Sequence, residues 1–293
     1  MMDKSEDSLQ TISDISETLL IPLYARAIES QSEHPILIDK KAVEITQTLN
    51  KTFEQSDSHL HKTLVKGQVR KRLGKKLNVT LTLRTRKFDH YCKDFLEKTP
   101  SGTIVELGCG LSTRFHRIDN NNVHWYDLDF PEVIQIREQF FKETDRYRFI
   151  RSSVLDFTWM DQITTENNPP LFIAEGLLMY LHEEEVKRLL LTLQQTFPGC
   201  ELACEVANAY IVRVLKRKLW KKKFQRDFHL GKEATFHFGI NDSDEFEQWH
   251  QGIELLDEWT YFDDHEKKLG WMQFFGRFEK MKKAQWIVHY KLQ

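Results

Sequence analysis

The sequence predicts an α/β fold in which helices pack on a mostly parallel, seven-stranded sheet. Short runs of β-branched and apolar residues alternate with amphipathic helical stretches, as in parallel strands joined by crossover helices. The first run, residues 103–107, passes through a turn at Gly108 and Gly110 into the start of a helix. Two final strand-like runs, around 253–259 and 284–290, predict one antiparallel strand at the edge of the sheet.

Composition and charge exclude several classes of protein. The chain of 293 residues is 40% hydrophobic and 12% aromatic, which is enough for a sizeable core. Its 42 Lys and Arg nearly balance its 44 Asp and Glu, so no overall field attracts nucleic acid or an anionic membrane. Residues 1–11 are polar and acidic, and Glu175 interrupts the most apolar segment, so we expect a cytoplasmic protein with no membrane partner. The four cysteines match no metal-ligand spacing, and no metal site is predicted.

Two helical patterns precede the first predicted strand. Residues 12–31 and 40–53 both place apolar side chains at helical spacing, and we interpret residues 1–80 as an N-terminal helical cover over the site. Residues 81–293 then form the core. Within the core, residues 207–250 contain many aromatic residues, which favours a lid insertion that excludes water.

Residues 62–76 and 213–226 are locally basic. The first tract has few aromatic residues, whereas binders of single-stranded nucleic acid combine charge with stacking rings, so a solvated helix face is favoured. The second tract has aromatics among its cations, which fits either an RNA-binding surface or a lid helix whose long cationic side chains reach water. We favour the lid and expect no nucleic-acid partner. An RNA-binding protein is the alternative from a different class.

The glycine turn predicts a ligand site at the end of the first strand. Glycine permits positive φ and close approach of backbone N–H groups, and the following helix start adds partial positive charge. Glu106 precedes the turn, and Thr113 stands where a dinucleotide-binding loop has its third glycine. A carboxylate there repels a pyrophosphate, which disfavours an NAD-dependent dehydrogenase, and it suits the ammonium group of S-adenosylmethionine. The alternative is that Glu106 caps local backbone.

Acidic residues also follow the later strands. Asp127 and Asp129 lie about 20 residues past the glycines, in range of a nucleoside ribose, and we favour Asp129 because it is nearer the end of its strand. Asp156 could accept from the adenine amino group while Phe157 packs on the ring, or it could simply cap the next turn. Glu175 lies between two apolar segments and needs a partner, which the cofactor's cationic end could supply.

Arg84 and Arg86 are predicted at the start of the helix that precedes the first strand. An arginine there could bind the carboxylate at the methionine end of the cofactor as a bidentate pair. A surface arginine is the equally good alternative.

Four blocks of sequence together resemble the leucine carboxyl methyltransferase family, most closely its bacterial branch of O-methyltransferases for small polyketide-type products. They are Leu83-Arg-Thr-Arg86, Val105-Glu-Leu-Gly-Cys-Gly-Leu-Ser-Thr-Arg114, Tyr126-Asp-Leu-Asp-Phe-Pro131 and Ala174-Glu-Gly-Leu-Leu-Met-Tyr-Leu181. The resemblance runs from about Thr18 to the C-terminus. It implies a Rossmann-like class I methyltransferase fold that uses S-adenosylmethionine and releases S-adenosylhomocysteine.

The resemblance also implies roles for single positions. By it Arg84 holds the cofactor carboxylate, Gly108 lies under the methionine part, Asp129 binds the ribose, Asp156 and Phe157 flank the adenine, and Glu175 lies near the methionine end. Phe157 stands where the family commonly has Leu, a change that keeps an apolar contact.

These features predict an O-methyltransferase that acts on the carboxylate of a small natural product. A carboxylate is already ionised at neutral pH, since its reference pKa is about 4, whereas a phenol at about 10 needs a base. His237 is the candidate base, and Tyr180 and Arg86 are candidates to orient the acceptor. The alternative acceptors are a phenol or enol and the C-terminal carboxylate of a protein.

Overall fold

The computed structural model describes residues 17–67, 74–165, 168–216 and 235–293. The α-helices are α1 (Glu17–Ser30), α2 (Lys40–Phe53), α3 (His59–Val65), α4 (Gly74–Lys98), α5 (Phe115–Ile118), α6 (Pro131–Arg137), α7 (Glu183–Thr196), α8 (Ala209–Leu215) and α9 (Glu279–Lys282). The strands are β1 (Thr103–Leu107), β2 (His124–Asp129), β3 (Tyr147–Arg151), β4 (Leu171–Ala174), β5 (Cys200–Ala207), β6 (Ile253–Trp259) and β7 (Gln285–Leu292). Turns of 3₁₀-helix occur at Phe157–Gln162, Leu178–Tyr180, Glu245–Trp249 and Lys267–Arg277.

The strands form one sheet in the order β3-β2-β1-β4-β5-β7-β6. The first five strands in the chain pair in parallel, and β7 runs antiparallel to both of its neighbours, β5 and β6. The predicted seven-stranded, mostly parallel sheet is therefore confirmed. Its antiparallel strand lies next to the edge, because β7 is inserted between β5 and the edge strand β6.

Each face of the sheet is covered by its own apolar core. Successive side chains of a strand point to opposite faces, so Ile104 packs into the core under α1, α2 and α4, while Val105 and Leu107 pack into the core under α7. Both faces of β1 are buried along its whole length, as expected for a central parallel strand. This leaves the carboxyl edge of the sheet as the natural place for a ligand.

Helix α4 is continuous for 25 residues and includes the predicted boundary between residues 80 and 81. Arg84 and Arg86 consequently lie in the middle of a helix and not at its start, which corrects the expectation from the sequence. Residues that are two positions apart on a helix are rotated by about 200° around its axis. The side chains of Arg84 and Arg86 therefore point in nearly opposite directions. Arg84 turns towards the sheet edge, whereas Arg86 pairs with Asp264 at 2.8 Å on a partly exposed surface.

The N-terminal helices lie over the carboxyl edge of the sheet. On α1, Leu20 and Leu23 are fully buried, and Arg26 donates through Nη2 to the carbonyl of Leu111 at 2.9 Å. The Cδ2 atom of Leu19 is so near Gly110 that a Cβ there would lie 3.0 Å from it. Helix α1 therefore closes one side of the space beside the glycine turn.

The described part of the predicted lid consists of residues 207–216 and 235–250. Phe236, Phe238 and Ile240 are buried, and a bridge joins Asn208 to Ile240. The basic tract 213–226 lies mostly outside the described residues, as does the middle of the tract 62–76. No helix in the described ranges is both long and apolar enough to cross a membrane.

Candidate active site

A cavity of about 700 Å³ lies at the carboxyl edge of the sheet, between the ends of β1, β2 and β4 and helices α1 and α4. A volume of this size is typical of a site for a cofactor or small molecule. Its charged lining residues are Arg26, Arg84, Glu106, Arg114, Asp129 and Glu175.

The glycine turn forms the floor of this cavity. Gly108 and Gly110 both have positive φ, at 66° and 49°, a conformation that L side chains rarely adopt. A Cβ on Gly108 would also lie 3.1 Å from Cδ1 of Leu177. The backbone N–H of Gly108 is bonded to the carbonyl of Leu128 at 2.8 Å, which fixes the turn against β2. The two glycines thus bring bare backbone to the cavity.

Glu106 presents one carboxylate oxygen that has no hydrogen-bond donor in the described part of the chain. Its Oε1 is bound by the Nη1 of Arg114, its Oε2 is buried and accepts no hydrogen bond from the described residues, and the residue belongs to the cavity lining. Burial raises the pKa of Glu106 to about 7, although Arg114 opposes this shift. A buried carboxylate oxygen without a donor is costly, so this atom is suited to a cationic donor on a ligand.

Arg114, at the centre of the charged cluster, was given no role in the sequence analysis. Its guanidinium is 1% exposed and binds three carboxylates, those of Asp89 at 2.9 Å, Glu106 and Glu175. The signal that could have revealed it is electrostatic. Glu106 and Glu175 both lie in apolar strand surroundings that demand a cation, and Arg114 follows the glycine turn directly.

Arg84 is held between two carboxylates of neighbouring strands. Its Nε donates to Glu175 at 2.8 Å and its Nη1 to Glu205 at 2.9 Å, while its Nη2 has no hydrogen-bond partner among the described residues. Glu205 in turn accepts from the hydroxyl of Tyr261 at 2.6 Å. Burial by itself would raise the pKa of Glu175, but the positive charges of Arg84 and Arg114 lower it by more than that. The resulting pKa of Glu175 is about 2. The partner that Glu175 requires is therefore supplied by the protein itself.

Arg26 is a second lining residue that the sequence analysis did not single out. Its Nε pairs with Asp39 at 3.0 Å, and Asp39 also accepts from Arg117 at 2.8 Å and from the hydroxyl of Thr113 at 2.6 Å. The N-terminal cover is thereby tied to the segment that follows the glycine turn. Arg26 has the helical spacing of a buried position on α1, which is the only signal the sequence offers.

Asp129 and Asp127 have different surroundings although both lie on β2. Asp129 lines the cavity, and its oxygens accept from the backbone N–H groups of Gly110 and Phe130, both at 2.8 Å. Burial raises its pKa, against those two hydrogen bonds. Asp127 is 1% exposed, is not part of the lining, and pairs with Arg137. The structure thus gives Asp127 a partner inside the protein, away from the ligand site proposed for it.

Asp156 and Phe157 lie beyond the lining, although Val154 and Leu155 belong to it. The carboxylate of Asp156 is exposed and accepts from the backbone N–H and the hydroxyl of Thr158, at 3.3 and 2.8 Å, which is the capping role foreseen as the alternative. The ring of Phe157 packs under Arg188, whose Cζ is 5.1 Å from the ring centre. The structure places neither side chain in the cavity wall.

Of the three candidates to act on the acceptor, Tyr180 lines the cavity. Its ring meets that of Phe236 edge-on at 5.3 Å, and burial raises its pKa to about 12. His237 is outside the lining, with its ring 4.5 Å from that of His182. Arg86 is turned away by the helix, as described above. The structure thus brings Tyr180 to the site and leaves His237 and Arg86 outside it.

The strand order and the glycine turn after β1 are those of the class I methyltransferase fold. The same fold occurs in the crystal structure of a DUF574 family protein from Streptomyces avermitilis, with a TM-score of 0.58 and 11% identity, over 97% of this chain and 100% of that one.

The sequence places the chain within this class. The leucine carboxyl methyltransferase model matches residues 20–194, so the chain belongs to that family. The tetracenomycin polyketide synthesis O-methyltransferase TcmP of Streptomyces glaucescens is 28% identical over 86% of this chain and 85% of its own length. The S-adenosyl-L-methionine-dependent methyltransferase dpfgK of Gibberella zeae is 26% identical over 90% of this chain and 89% of its own. The predicted family is confirmed, and the protein is a methyltransferase that uses S-adenosylmethionine.

Proposed function

We propose that this enzyme transfers the methyl group to the carboxylate oxygen of a small, largely apolar acid. The observation that carries the proposal is the convergence of three carboxylates, Glu106, Asp129 and Glu175, on one cavity from the ends of three strands. One of their oxygens, Oε2 of Glu106, is buried and has no donor within residues 17–67, 74–165, 168–216 and 235–293. This arrangement suits a ligand with a cationic end and a sugar.

The lining residues fit S-adenosylmethionine group by group. Oε2 of Glu106 would accept from the ammonium group, and the unpaired Nη2 of Arg84 would donate to the carboxylate. Asp129 would accept from the ribose hydroxyls, since its oxygens are bound on only one side, by backbone N–H groups. Leu155 would contact the adenine in place of Phe157, and the glycine turn would lie beneath the methionine part.

The cofactor supplies a methyl group on a positively charged sulfur that leaves as a neutral thioether, so transfer to a carboxylate makes a C–O bond and moves no proton. What remains for the protein is alignment and exclusion of water. The arginines are already fixed by carboxylates before any ligand binds, which lowers the cost of organising the site. Apolar side chains, Leu77, Leu81, Leu177 and Phe236, form much of the remaining wall.

The charge of the lining favours an acceptor that is already ionised. No histidine or lysine occurs among the described lining residues, and the lining arginines Arg26, Arg84 and Arg114 are all ion-paired. A phenol would need a base to remove its proton, whereas a carboxylate would not. The similarity to a polyketide O-methyltransferase is consistent with a ring-based acceptor of low polarity.

The test is an assay with methyl-labelled S-adenosylmethionine and a panel of hydrophobic acids and phenols. We expect label in the organic product only with acids, and mild base should release it as methanol because esters hydrolyse and aryl ethers do not. Calorimetry with S-adenosylhomocysteine provides the matching measurement, in which Asp129→Ala should weaken binding by about tenfold or more. A base-stable product would identify a hydroxyl acceptor, and unchanged affinity in Asp129→Ala would contradict the proposed cofactor site.

A further inference from the structure

Gln285 lines the cavity from a strand that carries none of the residues proposed to hold the cofactor. It is the first residue of β7, and its backbone pairs with Ala207, the last residue of β5. Because β7 is antiparallel, its start lies at the same edge of the sheet as the carboxyl ends of β1, β4 and β5. Gln285 therefore belongs to the ligand edge, although its strand runs in the opposite direction.

The sheet order sets how far Gln285 lies from the charged cluster. Neighbouring strands are about 4.8 Å apart, and β5 separates β7 from β4. Measured along the edge of the sheet, Gln285 is therefore about 10 Å from the end of β4, which Glu175 directly follows. It is about 14 Å from the end of β1. Most residues that fit the cofactor lie over β1, β2 and β4, and Arg84 reaches across to Glu205 of β5, so the space over the end of β5 and the start of β7 is left for the second substrate.

Gln285 lies between an apolar wall and the Arg84–Glu205 pair, because Glu205 pairs with Ile287, two residues along β7, and so shares the face of Gln285. We define the outer wall as the lining residues Leu77, Leu81, Tyr180, Leu181, Phe236 and Gln285. Ala207, the residue on β5 that pairs with Gln285, packs in one apolar cluster with Met179 and Phe236. On α4, Leu77 precedes Arg84 by seven residues, which is about 10 Å along the helix axis. The outer wall contains no charged side chain.

Within this wall, two polar groups have no hydrogen-bond partner among the described residues. They are the side-chain amide of Gln285 and the hydroxyl of Tyr180, and both are neutral groups that can donate. Both residues are half-buried, so water can accept from these donors before a ligand binds, and a ligand that displaces this water must accept in its place. A neutral donor also binds an anion without forming a fixed ion pair that would hold the product.

We infer that Gln285, together with Tyr180, recognises the anionic oxygen of the acceptor, and that the outer wall holds the acceptor's apolar body. This inference rests on the proposed function, because it assumes that the cofactor occupies the charged half of the cavity. It identifies the acceptor class as a hydrophobic monoacid bound by neutral donors. Gln285 is a specificity residue in this arrangement, and the cofactor does not depend on it.

The experiment compares two probes of the same shape, anthraquinone-2-carboxylate and anthraquinone-2-carboxamide, by calorimetry on protein saturated with S-adenosylhomocysteine. The wild type should bind the acid about tenfold more tightly than the amide, since charge-assisted hydrogen bonds are the stronger ones. Gln285→Glu should lower the affinity for the acid by about tenfold or more, because two like charges repel each other. It should change the affinity for the amide by less than about threefold. Gln285→Met, which removes only the donor, should have an intermediate effect.

The controls separate the two proposals. Gln195→Glu adds the same charge on the exposed surface of α7 and should change neither probe. The affinity for S-adenosylhomocysteine, measured first, should be unchanged in all three variants. If the wild type fails to bind S-adenosylhomocysteine, the proposed function is wrong. If it binds S-adenosylhomocysteine and Gln285→Glu still binds the acid normally, the inference about Gln285 is wrong and the proposed function stands. Failure of the loaded wild type to bind either probe would overturn the acceptor class.

Discussion

The cavity has a charged half, lined by Arg84, Glu106, Arg114 and Glu175, and the apolar outer wall. The polar groups of the two halves obtain their hydrogen bonds in different ways. In the charged half, each arginine is held by carboxylates: Arg114 by three, Arg84 by two. In the outer wall, charges are absent and the polar groups of Tyr180 and Gln285 have no partner in the described protein. One half is fixed before a ligand arrives, and the other acquires its hydrogen bonds from the ligand.

The difference explains why the cofactor can be identified and the acceptor only classified. A fixed array of charges selects a ligand by the position of each of its groups, since every mismatch leaves a buried charge unpaired. An apolar wall with neutral donors selects by size and hydrophobicity, and discrimination there is worth only about 1–3 kcal/mol for each methylene-sized difference.

The largest effect is expected when the centre of the charged half is removed. Arg114→Met leaves Asp89, Glu106 and Glu175 without their shared guanidinium, and breaking such buried pairs typically costs roughly 3–5 kcal/mol of unfolding free energy. Denaturant titration measures this loss. The matched control is Arg146→Met, whose pair with Asp119 is partly exposed, for which we expect less than about 1 kcal/mol. Equal losses in the two variants would mean that the cluster does not organise the fold.

A smaller effect, on binding, should distinguish two arginines that are neighbours on α4. Arg84→Met should lower the affinity for S-adenosylhomocysteine by roughly 10- to 100-fold, because it removes a charged donor from the ligand's carboxylate. Arg86→Met should have no such effect, since its side chain points to Asp264. Binding of 5′-methylthioadenosine, which lacks the carboxylate, should be the same in both. A loss for this shorter ligand would show that Arg84→Met disturbs the whole cavity.

The smallest effect concerns the protonation of Glu106, whose pKa burial raises to about 7. Between its ordinary value of about 4.3 and this raised value, the unfolded chain has lost the proton that the folded protein retains, so this group's contribution to stability decreases as pH rises through that window. Ionised Glu106 attracts the cofactor's ammonium group. The affinity for S-adenosylhomocysteine should therefore increase by about fivefold from about pH 6 to about pH 7.5. Calorimetry of Glu106→Gln should give a flat profile over that range, and a profile as steep as that of the wild type would assign the proton elsewhere.

Much of the fold could be predicted because its signals are local. The run Thr103–Leu107 is a strand with the predicted ends, as is Ile253–Trp259. Glu106, Asp129, Asp156 and Glu175 were expected to meet because the carboxyl ends of parallel strands lie along one edge, and all of them except Asp156 line one cavity.

The pairing of side chains could not be predicted in the same way. Asp127 and Asp129 share a face by alternation, yet Arg137 of α6 binds the first and backbone N–H groups bind the second. Arg84 and Arg86 look equivalent in sequence, and only the continuation of α4 through residue 81 turns them apart. Such choices depend on which long side chain can reach which charge in three dimensions.

The sequence by itself determined the class of protein, since hydrophobic periodicity, the glycine turn and the order of the acidic strand ends are properties of neighbouring residues. Only the tertiary structure decided which of these charges the protein neutralises internally and which face the ligand. The physical reason is that a buried charge must find a partner wherever the fold provides one. Arg114 is 25 residues from Asp89 along the chain and Glu205 is 121 residues from Arg84, and folding alone brings each pair together at the edge of one sheet.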